Sequence, residues 1–217
     1  MTLIKTDKVT QVIFALDTSG SMDVIRDETI GMFNSQIETL QKEGDNMGKI
    51  LVSLVLFGLH ANPPVQTLLD GVDINEIDKM TRDDYLPQGM TPMRDGIGRA
   101  VTLGEENDSG SKDDAVLLIV LTDGQENDSR EWTAEALAKK IAELRATDRW
   151  TVQVMGANID LSAVEHFGIQ TGEFSRYNGN ADSMNAKSMA VNCYLSNYAG
   201  IRGQGLTRSV ETIEDVE

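Results

Sequence analysis

Apolar residues along the chain gather in two patterns that alternate. Nearly unbroken apolar runs occur at 9–16 (VTQVIFAL), 49–58 (KILVSLVLFG), 115–121 (AVLLIVL) and 150–157 (WTVQVMGA). Runs of this kind suit strands covered on both faces. Between them, apolar positions recur every three or four residues. Ile30, Phe33, Ile37 and Leu40 make one such stripe, and the helix it predicts stops near Gly44. Leu137, Ile141 and Leu144 make another, in a helix over about 129–147 where Asp128 and Glu131 have capping-box spacing. A further helix opens at TPMRDGIGRAV, with Thr91 as its N-cap and Pro92 as its first residue. Short helices are predicted around 74–79 and at LSAVEHFG, and a last long one over about 181–198.

Two weaker strands complete the pattern. VQTLLDG (65–71) follows the turn HANPP and can pair back as an antiparallel edge, and GEFSRY reads as a second edge strand. Strand–helix alternation of this kind predicts an α/β fold: a three-layer, Rossmann-like doubly wound sheet, mostly parallel with one antiparallel edge strand and helices on both faces. With no repeat and no linker, residues 1–202 read as one domain and 203–217 as an acidic, disordered tail.

In open sheets of this type, ligands sit beyond the carboxyl ends of the strands, where strand order reverses. Three polar clusters fall on that edge. DTSGSM (17–22) sets Asp17, Ser19 and Ser21 at alternate positions straight after the first strand. Thr91 opens a helix after the loop that leaves the edge strand. Asp123 follows the central strand in LTDG. Each alone suits a turn or a cap, but a turn needs one or two polar residues, not three in register. If the first and fourth strands are neighbours, Asp17 and Asp123 lie side by side in a partly dry crevice. Such a pair either takes up a proton or holds a cation. The hydroxyls favour a cation, because Mg²⁺ takes six oxygens at about 2.0–2.1 Å. The absence of Cys and His from these positions argues against zinc and copper. The expected cofactor is Mg²⁺ or Mn²⁺, held by Asp17, Ser19, Ser21, Thr91 and Asp123.

Charge narrows the partners. The chain has 19 Lys plus Arg against 35 Asp plus Glu, a formal net charge of −16. Such a surface repels nucleic-acid phosphates and anionic lipid, so neither is an expected partner. The single cysteine, Cys193, excludes an internal disulfide and points to a reducing compartment, with a buried, unreactive thiol as its expected role. The opening MTLIKTDKVTQ lacks the apolar core of a signal peptide, and no stretch reaches the ~18 apolar residues of a membrane span. The expected location is the cytoplasm.

DTSGSM, then the Thr of GMTPMRD, then the Asp of LTDG, resembles the von Willebrand factor A domain and its metal-ion-dependent adhesion site. The resemblance covers about residues 9–200 and is to compact intracellular bacterial and phage-type members. It implies a mostly parallel six-stranded sheet between two helix layers. It also implies Ser19, Ser21 and Thr91 as direct or near-direct ligands, and Asp17 and Asp123 as direct or water-bridged ones. The implied function is a Mg-dependent protein–protein interaction module. One open coordination position takes a Glu or Asp carboxylate from a protein partner, which can sit within an ATPase-containing assembly.

The surface around that position is expected to set specificity, with Met22, Asp23, Met90, Gln125, Glu126, Asn127, Asn158, Arg176 and Tyr177 as candidates. Glu126 raises a conflict, since a carboxylate beside the open position discourages an acidic partner unless it points away. The rival readings are a metal-stabilised structural subunit and a metal-dependent phosphohydrolase. Against the hydrolase, there is no second acid two residues after Asp17, no Gly-Lys-Ser/Thr phosphate loop and no histidine placed as a base. Enzymatic activity is not expected.

Overall fold

Strands with branched aliphatic side chains on both faces need cover on both sides, and the chain supplies it mainly with helices. The computed structural model describes residues 8–157, 159, 161–209 and 213–216. Strands β1 (Val9–Asp17), β2 (Lys49–Phe57), β3 (Val65–Asp73), β4 (Ala115–Thr122), β5 (Trp150–Gly156) and β6 (Phe174–Arg176) form one sheet in the order β3-β2-β1-β4-β5-β6. Every neighbouring pair is parallel except β2 with β3, which is antiparallel. This is the expected doubly wound sheet with one antiparallel edge.

Alternation along each strand sorts the core into two halves. Phe14, Leu16, Leu117 and Ile119 face helices α1 (Arg26–Met47) and α5 (Ala181–Gly203). Ile13, Ala15, Leu118 and Val120 face α2 (Met93–Glu106), α3 (Ala134–Arg145) and α4 (Leu161–Glu165). The chain leaves β1 toward β2 and β3, and leaves β4 toward β5 and β6. Strand order therefore reverses between β1 and β4. Their connections diverge at the carboxyl ends and open a crevice there.

Several boundaries differ from the sequence expectation. Helix α1 runs through Gly44 and ends at Gly48, whose φ of +79° suits glycine; an ideal Cβ there would lie 2.3 Å from the Lys8 carbonyl oxygen. The helix expected at 74–79 is only a 3₁₀ turn, Ile74–Glu76. Helix α3 starts at Ala134, capped by Thr133, whose hydroxyl accepts from the Ala136 N–H at 3.1 Å. Asp128 does not cap it. Cys193 is exposed rather than buried, because α5 turns Val191, Tyr194, Leu195 and Tyr198 to the core and leaves 193 outside.

The segment after Gly203 also departs from expectation. Its described residues are not a disordered tail but lie along β5 and β6 on the α1/α5 side. The Ser209 N–H donates to Thr151 Oγ1 (3.1 Å) and the Ile213 N–H to Gln153 Oε1 (3.3 Å). Ile213 is 1% exposed and belongs to the α1/α5 core. The cause is geometric. Six strands about 4.8 Å apart span about 24 Å, and two packed helices with axes about 10 Å apart cover roughly 20 Å of that width. The segment fills the remainder beside β6.

Candidate metal centre

β1 ends in Asp17, which is fully buried. Its Oδ1 accepts from the Ser19 N–H (2.7 Å) and its Oδ2 from Thr122 Oγ1 (2.5 Å). The Tyr85 hydroxyl donates to the Asp17 main-chain carbonyl from below. The loop after Asp17 is steadied by a parallel bridge between Ser19 and Gly89, with Gly20 N–H donating to the Gly89 carbonyl at 3.0 Å. Ser19 Oγ lies 3.2 Å from Ser21 Oγ, and Ser21 Oγ donates to Asp123 Oδ1 at 2.6 Å. Thr91 closes the ring from the other side. An ideal Cβ on Gly124 would sit 3.1 Å from Thr91 Oγ1 and 3.8 Å from Ser21 Oγ, so both hydroxyls border one small space. All five residues singled out from the sequence thus meet at the reversal point of the sheet.

Electrostatics favour a cation there. Burial raises the Asp17 carboxyl to about 6, with the Asp123 charge adding to the rise and hydrogen bonds from Thr122 and Ser19 opposing it. Burial also raises Asp123, against the hydrogen bond from Ser21. The Tyr85 and Tyr177 phenols are pushed well above their ordinary range, first by burial and then by these two acids, so both stay neutral donors. The donor set is all oxygen, which suits a hard divalent ion. Neighbouring oxygens around octahedral Mg²⁺ lie about 2.9 Å apart, given bonds of about 2.0–2.1 Å. The Ser19–Ser21 and Ser21–Asp123 separations, 3.2 and 2.6 Å, bracket that value. The residues present therefore fit such an ion.

The von Willebrand factor type A domain family matches residues 11–190. The chain belongs to this family. Among solved structures, this von Willebrand factor A domain is similar in fold to the pilus adhesin SpaC from Lactobacillus rhamnosus GG (TM-score 0.63, 13% identity, covering 92% of this chain and 31% of that one). It is also similar to the minor pilin PilB from Streptococcus sanguinis (0.59, 15%, 91% and 64%). A third likeness is to the conserved hypothetical protein BatB from Bacteroides thetaiotaomicron (0.51, 16%, 88% and 99%). The chain thus spans less than a third of SpaC and under two thirds of PilB. No curated protein matches it in sequence. Among the described residues, no helix is long and apolar enough to cross a membrane.

In this von Willebrand factor A domain, Thr91 is not the N-cap expected of it. The first free N–H groups of α2 are met from elsewhere: Arg94 N–H by Glu126 Oε2 (2.9 Å) and Asp95 N–H by Ser129 Oγ (3.2 Å). Glu126 also accepts from the Asp128 and Ser129 N–H groups (3.1 and 2.8 Å) and from Ser129 Oγ (2.6 Å). Its carboxylate is turned to the positive end of α2, away from the crevice. Asp95 answers from the helix side, accepting from the N–H groups of Arg130, Glu131 and Trp132 at 2.7, 3.1 and 2.8 Å. Those bonds keep 130–132 out of α3. Asn127 exchanges two bonds with the Thr91 main chain, 2.7 and 3.1 Å.

The expected rim is partly corrected. Met22 and Tyr177 are buried; Tyr177 supports the site from beneath, its hydroxyl donating to the Thr122 carbonyl at 3.1 Å. Asp23, Met90, Gln125, Asn127 and Arg176 are exposed, Met90 at 56%. Asn158 lies outside the described residues. Sequence reading missed Thr122, Tyr85 and Ser129. Thr122 alone carried a signal, as the polar residue ending an apolar strand beside Asp123.

Proposed function

We propose that this domain is a Mg²⁺-dependent protein-interaction module, Mn²⁺ being the alternative ion. Asp17, Ser19, Ser21, Thr91 and Asp123 hold the cation, and a Glu or Asp side chain of a protein partner completes its shell. The reading rests on one feature: α2 takes its cap from Glu126 and Ser129. That frees the Thr91 hydroxyl for the crevice and engages Glu126, an acid that would otherwise repel a carboxylate, at the helix start. Three of the five ligands are neutral hydroxyls, so much of the ion's charge remains for an outside oxygen. When bound, the ion supplies a Lewis-acidic position for that oxygen. Asp17 is oriented by Thr122 and the Ser19 N–H, and Asp123 by Ser21. Family membership supports the coarser part, since von Willebrand factor type A domains commonly serve as protein-interaction modules.

The test is affinity capture with Mg²⁺ and with EDTA, on wild type, Ser19→Ala and Thr91→Ala. Both variants should keep the fold and lose the partner, and EDTA should release it from wild type. A partner retained in EDTA would favour a metal that only stiffens the fold. Phosphatase and ATPase assays with Mg²⁺ should give no turnover; turnover abolished by Asp17→Asn would favour the hydrolase instead.

A further inference from the structure

We propose that the slot between β6 and α5 is a peptide-binding site. It takes an extended segment with a branched aliphatic residue followed by two acids, and residues 213–216 of the chain's own end occupy it here. Ile213 fills an apolar socket in the core cluster that holds Met155, Tyr177, Met184 and Val191. The Glu214 carbonyl accepts from Lys187 Nζ at 2.5 Å. The Asp215 carboxylate accepts from the Arg176 N–H at 2.7 Å, and the Val216 N–H donates to the Arg176 carbonyl at 3.0 Å. One apolar anchor, one cation and the free edge of a sheet are the components of strand-addition recognition.

Lys187 is the unusual component. It is fully buried on α5, a state lysine almost never adopts unpaired. Its hydrogen bond goes to the segment, and the charges that act on it, Asp215 and Glu214, also come from the segment. With the segment gone, the slot is an apolar socket beside a buried ammonium, on a chain of net charge −16. That combination favours an acid two residues after the aliphatic one, where the Arg176 N–H receives its carboxylate. Exchange for another segment is competition with a tethered resident at an effective concentration of order mM. The site is separate from the metal reading and does not depend on it.

The test uses the 217-residue chain carrying Ile213→Asp and a labelled synthetic peptide of residues 206–217, followed by fluorescence anisotropy. The variant chain should bind the peptide, wild type should bind it at least about tenfold more weakly because its own end competes, and a peptide carrying Ile213→Asp should not bind. Absence of binding to the folded variant, or equal binding of both peptides, overturns the proposal. So does a variant chain that fails to fold, because the segment is then required for folding and is not an exchangeable ligand. Amide exchange on the wild-type chain gives a second reading. The Val216 amide should exchange far faster than the β4 amides; exchange as slow as β4 would overturn exchangeability.

Discussion

Thr122 and Gly124 flank Asp123 and shape the crevice from two sides. Thr122 gives Asp17 its only side-chain donor from β4, and Asp17 is fully buried. Thr122→Val keeps the shape and removes the donor. It should cost about 1–3 kcal/mol in stability and about 10–100-fold in Mg²⁺ affinity, measured by melting and by calorimetric titration; an unchanged affinity would show that Asp17 needs no such support. Gly124→Ala tests crowding alone, since its new methyl would stand 3.1 Å from Thr91 Oγ1. The apo protein should melt close to wild type while Mg²⁺ affinity falls at least about tenfold. Asp123→Ala removes one of two repelling acids. Its apo form should melt no lower than apo wild type, yet Mg²⁺ should no longer raise its Tm. In wild type, binding at ~100 times Kd adds about 2.7 kcal/mol. An identical Mg²⁺ shift in both proteins would sink the site.

The element that decides the chemistry is the start of α2, and its logic is only half visible in sequence. Thr91-Pro92 is sound capping sequence, so the sequence offers the Thr91 hydroxyl two roles, helix cap and metal ligand, and does not choose between them. The residue that does the capping, Glu126, lies 32 positions beyond the Arg94 N–H it accepts from, and only the fold brings it there. The same long-range exchange explains why α3 begins at Ala134: Asp95 claims the backbone donors that Asp128 was expected to organise. By contrast, Asp17, Ser19, Ser21 and Asp123 are legible because they cluster at or just past the carboxyl ends of apolar strands, and parallel order puts those ends on one edge. Glu126→Ala leaves several N–H groups at the α2 start and in the 126–129 loop without partners. It should lower stability by about 2 kcal/mol, or about 4–8 °C in Tm for a domain of this size. It should also weaken the Mg²⁺ response, because Thr91 then becomes the nearest cap for α2. Exposed Glu143→Ala on α3 serves as control. A Tm and Mg²⁺ response equal to the control's would show that the clasp carries no energy.

At the scale of the whole molecule, two helices cannot cover one face of a six-stranded sheet, and the chain end completes the cover. Sequence reading took this end for a disordered tail because it is short, polar and acidic. The contrary signal was in β5, where Thr151 and Gln153 stand on the same face as Met155, at positions an apolar helix would not tolerate. They are there to bond the passing backbone at Ser209 and Ile213. This arrangement buries Lys187, and burial lowers its ammonium from 10.5 to about 8, against the raising effect of Asp215 and Glu214. Below pH 8 the lysine is charged in both folded and unfolded chains, and the folded state bears the full desolvation penalty. Between about 8 and 10.5 the unfolded chain holds more protons, so stability from this group rises with pH. Lys187→Met has no such group. Denaturant unfolding of both proteins from pH 7 to 10.5 should therefore show wild type gaining on the variant, by up to about 3 kcal/mol. Other titrating groups cancel in the difference, because both chains carry them. A stability difference that stays flat across that interval would mean that Lys187 reaches water and that the chain end does not seal the slot.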